Sequence, residues 1–172
     1  MRIGLVSDTH GLADPLLGRL FQGCDLVLHA GDVGSPEVLE TLGRIAPVRA
    51  VRGNNDLDAF GAALPETVRE RLGEIEALVV HELWAPGRLS PGARRALRRP
   101  AAIVVFGHSH RPSAELDEGS LYLNPGSAGP KRFHLPRSAA VLEVRGRRAA
   151  FAVHDLESPG LPPLGETFRA AL

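Results

Sequence analysis

The chain has 172 residues, 44% of them hydrophobic, enough to bury the core of one globular domain and too few for two. Its 20 Lys+Arg balance 20 Asp+Glu, so no global field draws it to a long nucleic acid or to an anionic membrane. Cys24 is the sole cysteine, which excludes an internal disulfide and a thiolate metal site; the longest apolar runs, such as residues 101–106, are too short to span a bilayer, and a cytoplasmic location is expected.

Ile3, Leu5 and Val6 read as a buried strand, with Asp8 and His10 just past its end. Residues two apart in extended chain face the same side, so this carboxylate and imidazole can converge to bind a metal, form an acid/base pair or cap the next helix. Asp14-Pro15 carries the signature of an N-cap followed by proline, with Leu16, Leu17, Leu20 and Phe21 as the apolar stripe of a helix. Residues 26–28 make a second strand that ends in His29-Ala30-Gly31-Asp32, and Ser35-Pro36 starts a second helix with Val38, Leu39 and Leu42 inward. Residues 48–51 make a third strand, ending in Arg52-Gly53-Asn54-Asn55-Asp56. This alternation predicts an α/β unit with parallel strands.

From Thr67 the pattern blurs, because Val68, Glu70 and Leu72 do not alternate cleanly. Residues 77–80 form the next strand, closed by His81; residues 91–99 predict a helix, and residues 101–106 a buried strand ending in Gly107-His108-Ser109-His110. Residues 121–123, 139–144 and 149–153 are short strands at close spacing, which predicts antiparallel pairing. The whole reads as an α/β fold with a two-layered sheet core and helices outside, one domain over residues 1–156 followed by a Pro/Gly-rich tail, 157–172.

Asp8 with His10, Asp32, Asn54, His81, and His108 with His110 thus stand just past five different strands. The carboxyl ends of strands are where open α/β sheets build ligand sites, so these side chains can share one crevice. Singly, Asp8 and Asp32 also read as N-caps, His81 as a core histidine and Asn54 as a turn residue with positive φ. Jointly they suit two metals bridged by a carboxylate, about 3.5–4 Å apart, matched to an attacking and a leaving oxygen. Carboxylate oxygens and neutral imidazoles suit Mn²⁺, Fe, Ni²⁺ or Zn²⁺, and an amide oxygen adds a ligand without adding charge; two divalent ions are expected, Mn²⁺ first, with Ni²⁺, Zn²⁺, Fe or Mg²⁺ as alternatives.

The motifs SDTHG, AGDVG, GNND, VVH and GHSH, in this order and each after a strand, resemble those of the calcineurin-like metallophosphoesterase family. The NPGS at residues 124–127 and the early LPE are similar to its small bacterial and archaeal phosphodiesterase branch, to which the eukaryotic retromer subunit Vps29 is related. The resemblance implies a two-sheet β-sandwich flanked by helices. It implies that Asp8, His10 and His110 hold one divalent ion, that Asn54, His81 and His108 hold the other, and that Asp32 bridges them. The implied reaction is hydrolysis of a small phosphodiester by a metal-bridging hydroxide, with Asp32, Asn54 and Asn55 as the catalytic set and no protein nucleophile. A Vps29-like interaction scaffold with weak or no catalysis is the alternative; scaffolds tend to lose ligands, and here all seven positions are filled.

Two residues depart from that family pattern. Asn55 stands where many members have a histidine that protonates the leaving oxygen, and an amide has no proton to give, so good leaving groups are expected to be favoured. Glu82 follows His81 where glycine is usual, and it can crowd the site, bind metal or turn outward. The stretch 83–91, with Trp84, Pro86 and Gly87, reads as a loop over the pocket. In residues 124–132, Asn124, Ser127 and Arg132 join Asn55 as candidate substrate contacts. His29 reads as a supporting hydrogen-bond donor or packing residue, His134 and His154 as surface residues, and Arg94, Arg95, Arg98 and Arg99 as a solvated helix face. A small phosphodiester is the expected partner, without long nucleic acid or membrane, and a homo-oligomer stays open.

Overall fold

The computed structural model describes residues 1–86, 88–132 and 134–172. Its first half follows the predicted alternation: β1 (Arg2–Val6), α1 (Pro15–Leu20), β2 (Leu26–His29), α2 (Pro36–Gly43) and β3 (Val48–Ala50). Asp14 caps α1 by accepting the Leu16 amide at 2.8 Å, and Pro15 needs no donor at the first helical position. A short α3 (Ala59–Ala63), capped by Asp58, was not expected. A hairpin of β4 (Thr67–Leu72) and β5 (Ile75–Val80) follows, then the small pair β6 (Trp84–Ala85) and β7 (Arg88–Leu89), α4 (Pro91–Ala96) and β8 (Ile103–Val105). The chain closes with β9 (Ser113–Asp117), β10 (Ser120–Asn124), β11 (Ser138–Arg145), β12 (Arg148–Asp155) and β13 (Phe168–Ala171).

One sheet has the order β13-β12-β11-β1-β2-β3, the other β4-β5-β8-β10-β9. In the first, β1, β2 and β3 run parallel; in the second, β5, β8 and β10 do. Period-two alternation builds the layers. Ile3, Leu5, Leu26 and Leu28 of the first sheet pack against Ala77, Val79, Ile103, Val105 and Leu121 of the second, forming the core between sheets. The alternate residues Val6, Val27 and Val141 face Leu17, Phe21, Val38 and Leu42 of the α1–α2 side, while Leu78, Val80 and Val104 pack with Ala93 of α4. Because the central strands are covered on both faces, they read as continuous apolar runs.

Two expectations are corrected. Residues 121–123 do not join the last antiparallel strands: β10 lies in the second sheet, parallel to β8 and antiparallel to β9. Within the Pro/Gly-rich stretch, β13 pairs antiparallel with β12, so the end of that stretch is part of the first sheet. Among the described residues, no helix is long and apolar enough to cross a membrane.

Candidate metal centre

Each predicted metal ligand lies in a loop at the carboxyl end of β1, β2, β3, β5 or β8, and these five loops meet at one end of the sandwich. Backbone bonds zip the first two together: the Asp8 amide donates to the Gly31 carbonyl at 2.9 Å and the His10 amide to the Asp32 carbonyl at 3.0 Å. Among the described residues seven non-glycine residues have positive φ, and five of them are Asp8, His10, Asp32, His108 and His110. Each such position costs about 1–3 kcal/mol, so their collection at one spot marks a place where geometry is held against local preference. Asn54 is not among them, which removes its reading as a left-handed turn residue.

Asp8, His10 and His110 bring their ligand atoms within 4.8 Å of one another. Asp8 is fully buried; its Oδ2 accepts from the Ser7 hydroxyl at 2.6 Å and the His108 amide at 3.1 Å. Its Oδ1 has no hydrogen-bond donor, although His110 Nε2 stands 3.1 Å away at an angle outside hydrogen-bond geometry. Burial pushes the Asp8 carboxyl up, but contact with His110, the nearby His81 and the Ser7 hydroxyl outweigh this and hold it below the usual carboxylate value. Burial pulls the His10 imidazole down, with Arg132 and His110 acting the same way and Asp32 and Asp8 opposing, which favours the neutral ring that ligates metal.

The second set gathers around Asn54. His81 Nδ1 lies 2.7 Å from the Ala30 carbonyl and donates to it, so that in the neutral ring Nε2 carries the lone pair. That lone pair faces Asn54 Oδ1 at 2.9 Å and Asp32 Oδ2 at 3.5 Å, both acceptors. His108 Nδ1 approaches the same Asn54 oxygen at 2.9 Å. Facing acceptors of this kind are relieved by a ring proton or by a cation between them. Asp32 Oδ2 also lies 3.9 Å from His10 Nε2, so it stands between the two sets, and Asp8, Asp32 and His81 form a further group within 4.8 Å. Among the described residues neither buried carboxylate pairs with a lysine or arginine. A buried charge without a partner is costly, and the donor set fits divalent cations.

The supporting side chains were the least legible. Asn55 is tied to Asp32, its backbone N–H donating to Oδ1 at 2.8 Å and its side-chain Nδ2 to Oδ2 at 2.6 Å. Buried Asp56 gathers the amides of Gly53, Val33 and Gly34 at 2.8–3.2 Å and so locks the β3 loop to the β2 loop. His29, fully buried, accepts the Gly31 N–H at 3.2 Å through Nδ1, so its Nε2 donates to Thr9 Oγ1 at 2.9 Å; burial pulls its pKa down to about 4. Gly31 itself, at φ +91°, has no room for a side chain, since a Cβ would fall 2.7 Å from His81 Nδ1. Ser7 and Asp56 were missed; the only sequence signal was a polar residue inside a motif already assigned to its neighbour.

Asn124 and Ser127, expected to touch substrate, lie buried with their polar atoms engaged inside the fold. Asn124 is fully buried, donates to the Gly107 carbonyl at 2.9 Å and Ser109 Oγ at 3.1 Å, and accepts the Gly126 amide at 2.8 Å. Ser127 is buried and donates to the Asp8 carbonyl at 3.0 Å. Both spend their polar atoms fastening the β1 and β8 loops. Arg132 is exposed and close enough to His10 to act on its charge. Glu82 is half-exposed with Oε1 3.6 Å from His108 Nε2, outside the ring of donor atoms. Of the stretch expected over the pocket, Ser90 and Pro91 line a crevice beside Asn54 and His81, Trp84 is exposed, and Gly87 lies outside the described residues. His134 is exposed, and His154 hydrogen-bonds the Leu161 carbonyl.

A helix-flanked β-sandwich that collects carboxylates, imidazoles and an amide at the ends of its parallel strands has the architecture of a metallophosphoesterase. The chain belongs to that family: residues 1–147 match the calcineurin-like phosphoesterase superfamily domain. A probable metallophosphoesterase of Methanothermobacter thermautotrophicus is 35% identical over 157 residues, covering 86% of this chain and 88% of its own. A predicted phosphoesterase from Streptococcus pneumoniae superposes with a TM-score of 0.77 at 25% identity over 99% of this chain and 97% of its own. Vps29 from Entamoeba histolytica, solved with Zn²⁺, has a TM-score of 0.74 at 22% identity, covering 100% of this chain and 98% of that one, and shares the fold.

Proposed function

We propose that the protein is a binuclear metal-dependent phosphodiesterase acting on a small phosphodiester, with Mn²⁺ the foremost metal. The observation that carries this reading is the pair of buried, cation-free carboxylates, Asp8 and Asp32, set between two groups of inward-facing acceptors. Asp8, His10 and His110 would hold one ion, Asn54, His81 and His108 the other, and Asp32 would serve both. Such a pair, when bound, supplies an activated water near neutral pH and charge stabilisation for phosphoryl oxygens.

The remaining chemistry belongs to the chain. Asn55 keeps the Asp32 carboxylate turned inward through two donated hydrogen bonds. Its amide has no proton to release, so a leaving oxygen departs without an acid at this position and aryl esters are cleaved faster than alkyl esters. Arg132, on the rim beside His10, offers a guanidinium to a phosphoryl oxygen. Glu82 sets a negative charge beside His108, which disfavours a dianionic monoester relative to a monoanionic diester.

The test is hydrolysis of bis-p-nitrophenyl phosphate and p-nitrophenyl phosphate by chelator-stripped protein, then with Mn²⁺, Ni²⁺, Zn²⁺ or Mg²⁺ restored, and with Asp32→Ala as the control. Metal-dependent cleavage that favours the diester and disappears in the control supports the reading. A folded protein that turns over neither ester with any metal belongs instead with interaction scaffolds of the Vps29 kind.

A further inference from the structure

Two crevices meet at the side of the metal centre. One, of about 270 Å³, runs from Asn54 and His81 past Glu82 to Arg52, Glu66 and Arg95. The other, of about 330 Å³, continues beyond Arg95 and Pro91 between Arg88, Arg94 and Arg98. Five guanidinium groups therefore line one track that begins at the candidate ligands, against two carboxylates, Glu66 and Glu82.

The charges on this track are poorly compensated. Glu66 is shared, pairing with Arg52 at 3.2 Å and also with Arg95. Arg99, just off the track, pairs with Glu76. Arg88, Arg94 and Arg98 have no ion-pair partner among the described residues. Arg94 stands in the last turn of α4 and Arg98 just past its C-cap, both exposed. Guanidinium groups gathered on a groove match phosphate oxygens, to which they donate in pairs.

We propose that the ester cleaved at the metal centre carries further phosphate groups on one arm, and that this arm lies along Arg52, Arg95, Arg94, Arg98 and Arg88. This rests on the phosphodiesterase reading above and narrows its substrate class to multiply charged phosphodiesters. Glu82 and the track act at different points: the carboxylate limits charge on the phosphate being attacked, and the arginines reward charge farther along the arm.

The probe is the p-nitrophenyl ester of thymidine 5′-phosphate, alone and extended at its 3′ oxygen by one or two further thymidine phosphates. Versions of equal length with uncharged methylphosphonate links separate charge from size. The expected kcat/KM for nitrophenol release rises about tenfold with the first added phosphate, mainly through KM, as for a hydrogen bond between charged groups. It does not rise with methylphosphonate. Arg94→Glu together with Arg98→Glu flattens the series, whereas Arg145→Glu, on the distal β11–β12 turn, leaves it steep. A flat series in the wild type, an equal rise with methylphosphonate, or a steep series surviving the double substitution overturns the inference while leaving the phosphodiesterase reading standing. Absence of metal-dependent cleavage of even the unextended ester overturns that reading, and this inference with it.

Discussion

Asn55 holds both carboxylate oxygens of Asp32, one through its backbone N–H at 2.8 Å and the other through its side-chain amide at 2.6 Å. Each oxygen keeps one lone-pair site free, pointing away from its donor. Asn55→Ala removes the side-chain half of this clamp. The expected result is roughly tenfold weaker metal binding, measured by calorimetry, since a hydrogen bond to a charged group is worth about 1.5–3 kcal/mol. Unchanged affinity would mean that the backbone N–H alone orients Asp32.

Glu82 meets the outer nitrogen of His108 at 3.6 Å while the inner nitrogen faces Asn54. At that distance the carboxylate acts on the ring through its charge, and closing up to a hydrogen bond when a metal sits on the inner nitrogen would bring it into the supporting role whose loss costs about 10–100-fold in metal affinity. Glu82→Gln is expected to weaken one of two calorimetric binding events within that range and to leave the other intact. An equal effect on both events, or on neither, would remove this role from Glu82.

The metal-free protein is expected to lose stability in acid because of His29. Its folded pKa lies at about 4 against an ordinary 6.5, so above pH 6.5 both folded and unfolded chains are neutral there. As pH falls from 6.5 to 4 the unfolded chain takes up a proton that the folded one refuses, and about 3 kcal/mol of stability is lost across that window. The downward shift at His10 acts in the same direction, and that at Asp8 extends the loss to lower pH. Urea unfolding at pH 7, 5.5 and 4 checks this, with His29→Gln expected to show a shallower dependence.

Gly53 precedes Asn54 in the loop after β3, and a Cβ there would fall 2.0 Å from Asp32 Oδ1 and 2.2 Å from the Asp32 backbone nitrogen. Gly53→Ala must push Asp32 out of place, at a cost of about 1–3 kcal/mol or more. The expected outcome is a lowered melting temperature, together with loss of the upward shift in melting temperature that added Mn²⁺ is expected to give the wild type. Retention of both would show that the β2 and β3 loops can separate without cost.

The strand-end site was legible because each motif follows an apolar run whose burial forces the polar residue to the edge of the sheet, as Val6 does for Asp8 and Val80 for His81. Edge strands were not. In β9 the residues Ser113–Asp117 are largely exposed, and β13 alternates partly buried with exposed residues; a strand paired on one side needs no continuous apolar run. Asn124 and Ser127 show a different limit. The family resemblance set them beside the metals, but whether an amide or hydroxyl is free for substrate depends on backbone carbonyls supplied by distant residues. Asp56 was hidden for the same reason, since its three amide partners come from two separate loops.

The most direct test is anomalous diffraction from crystals of the protein grown with Mn²⁺. Two peaks flanking the Asp32 carboxylate are expected, one among Asp8, His10 and His110, the other among Asn54, His81 and His108. A single peak, or two peaks of which neither lies against Asp32, would contradict a shared binuclear centre.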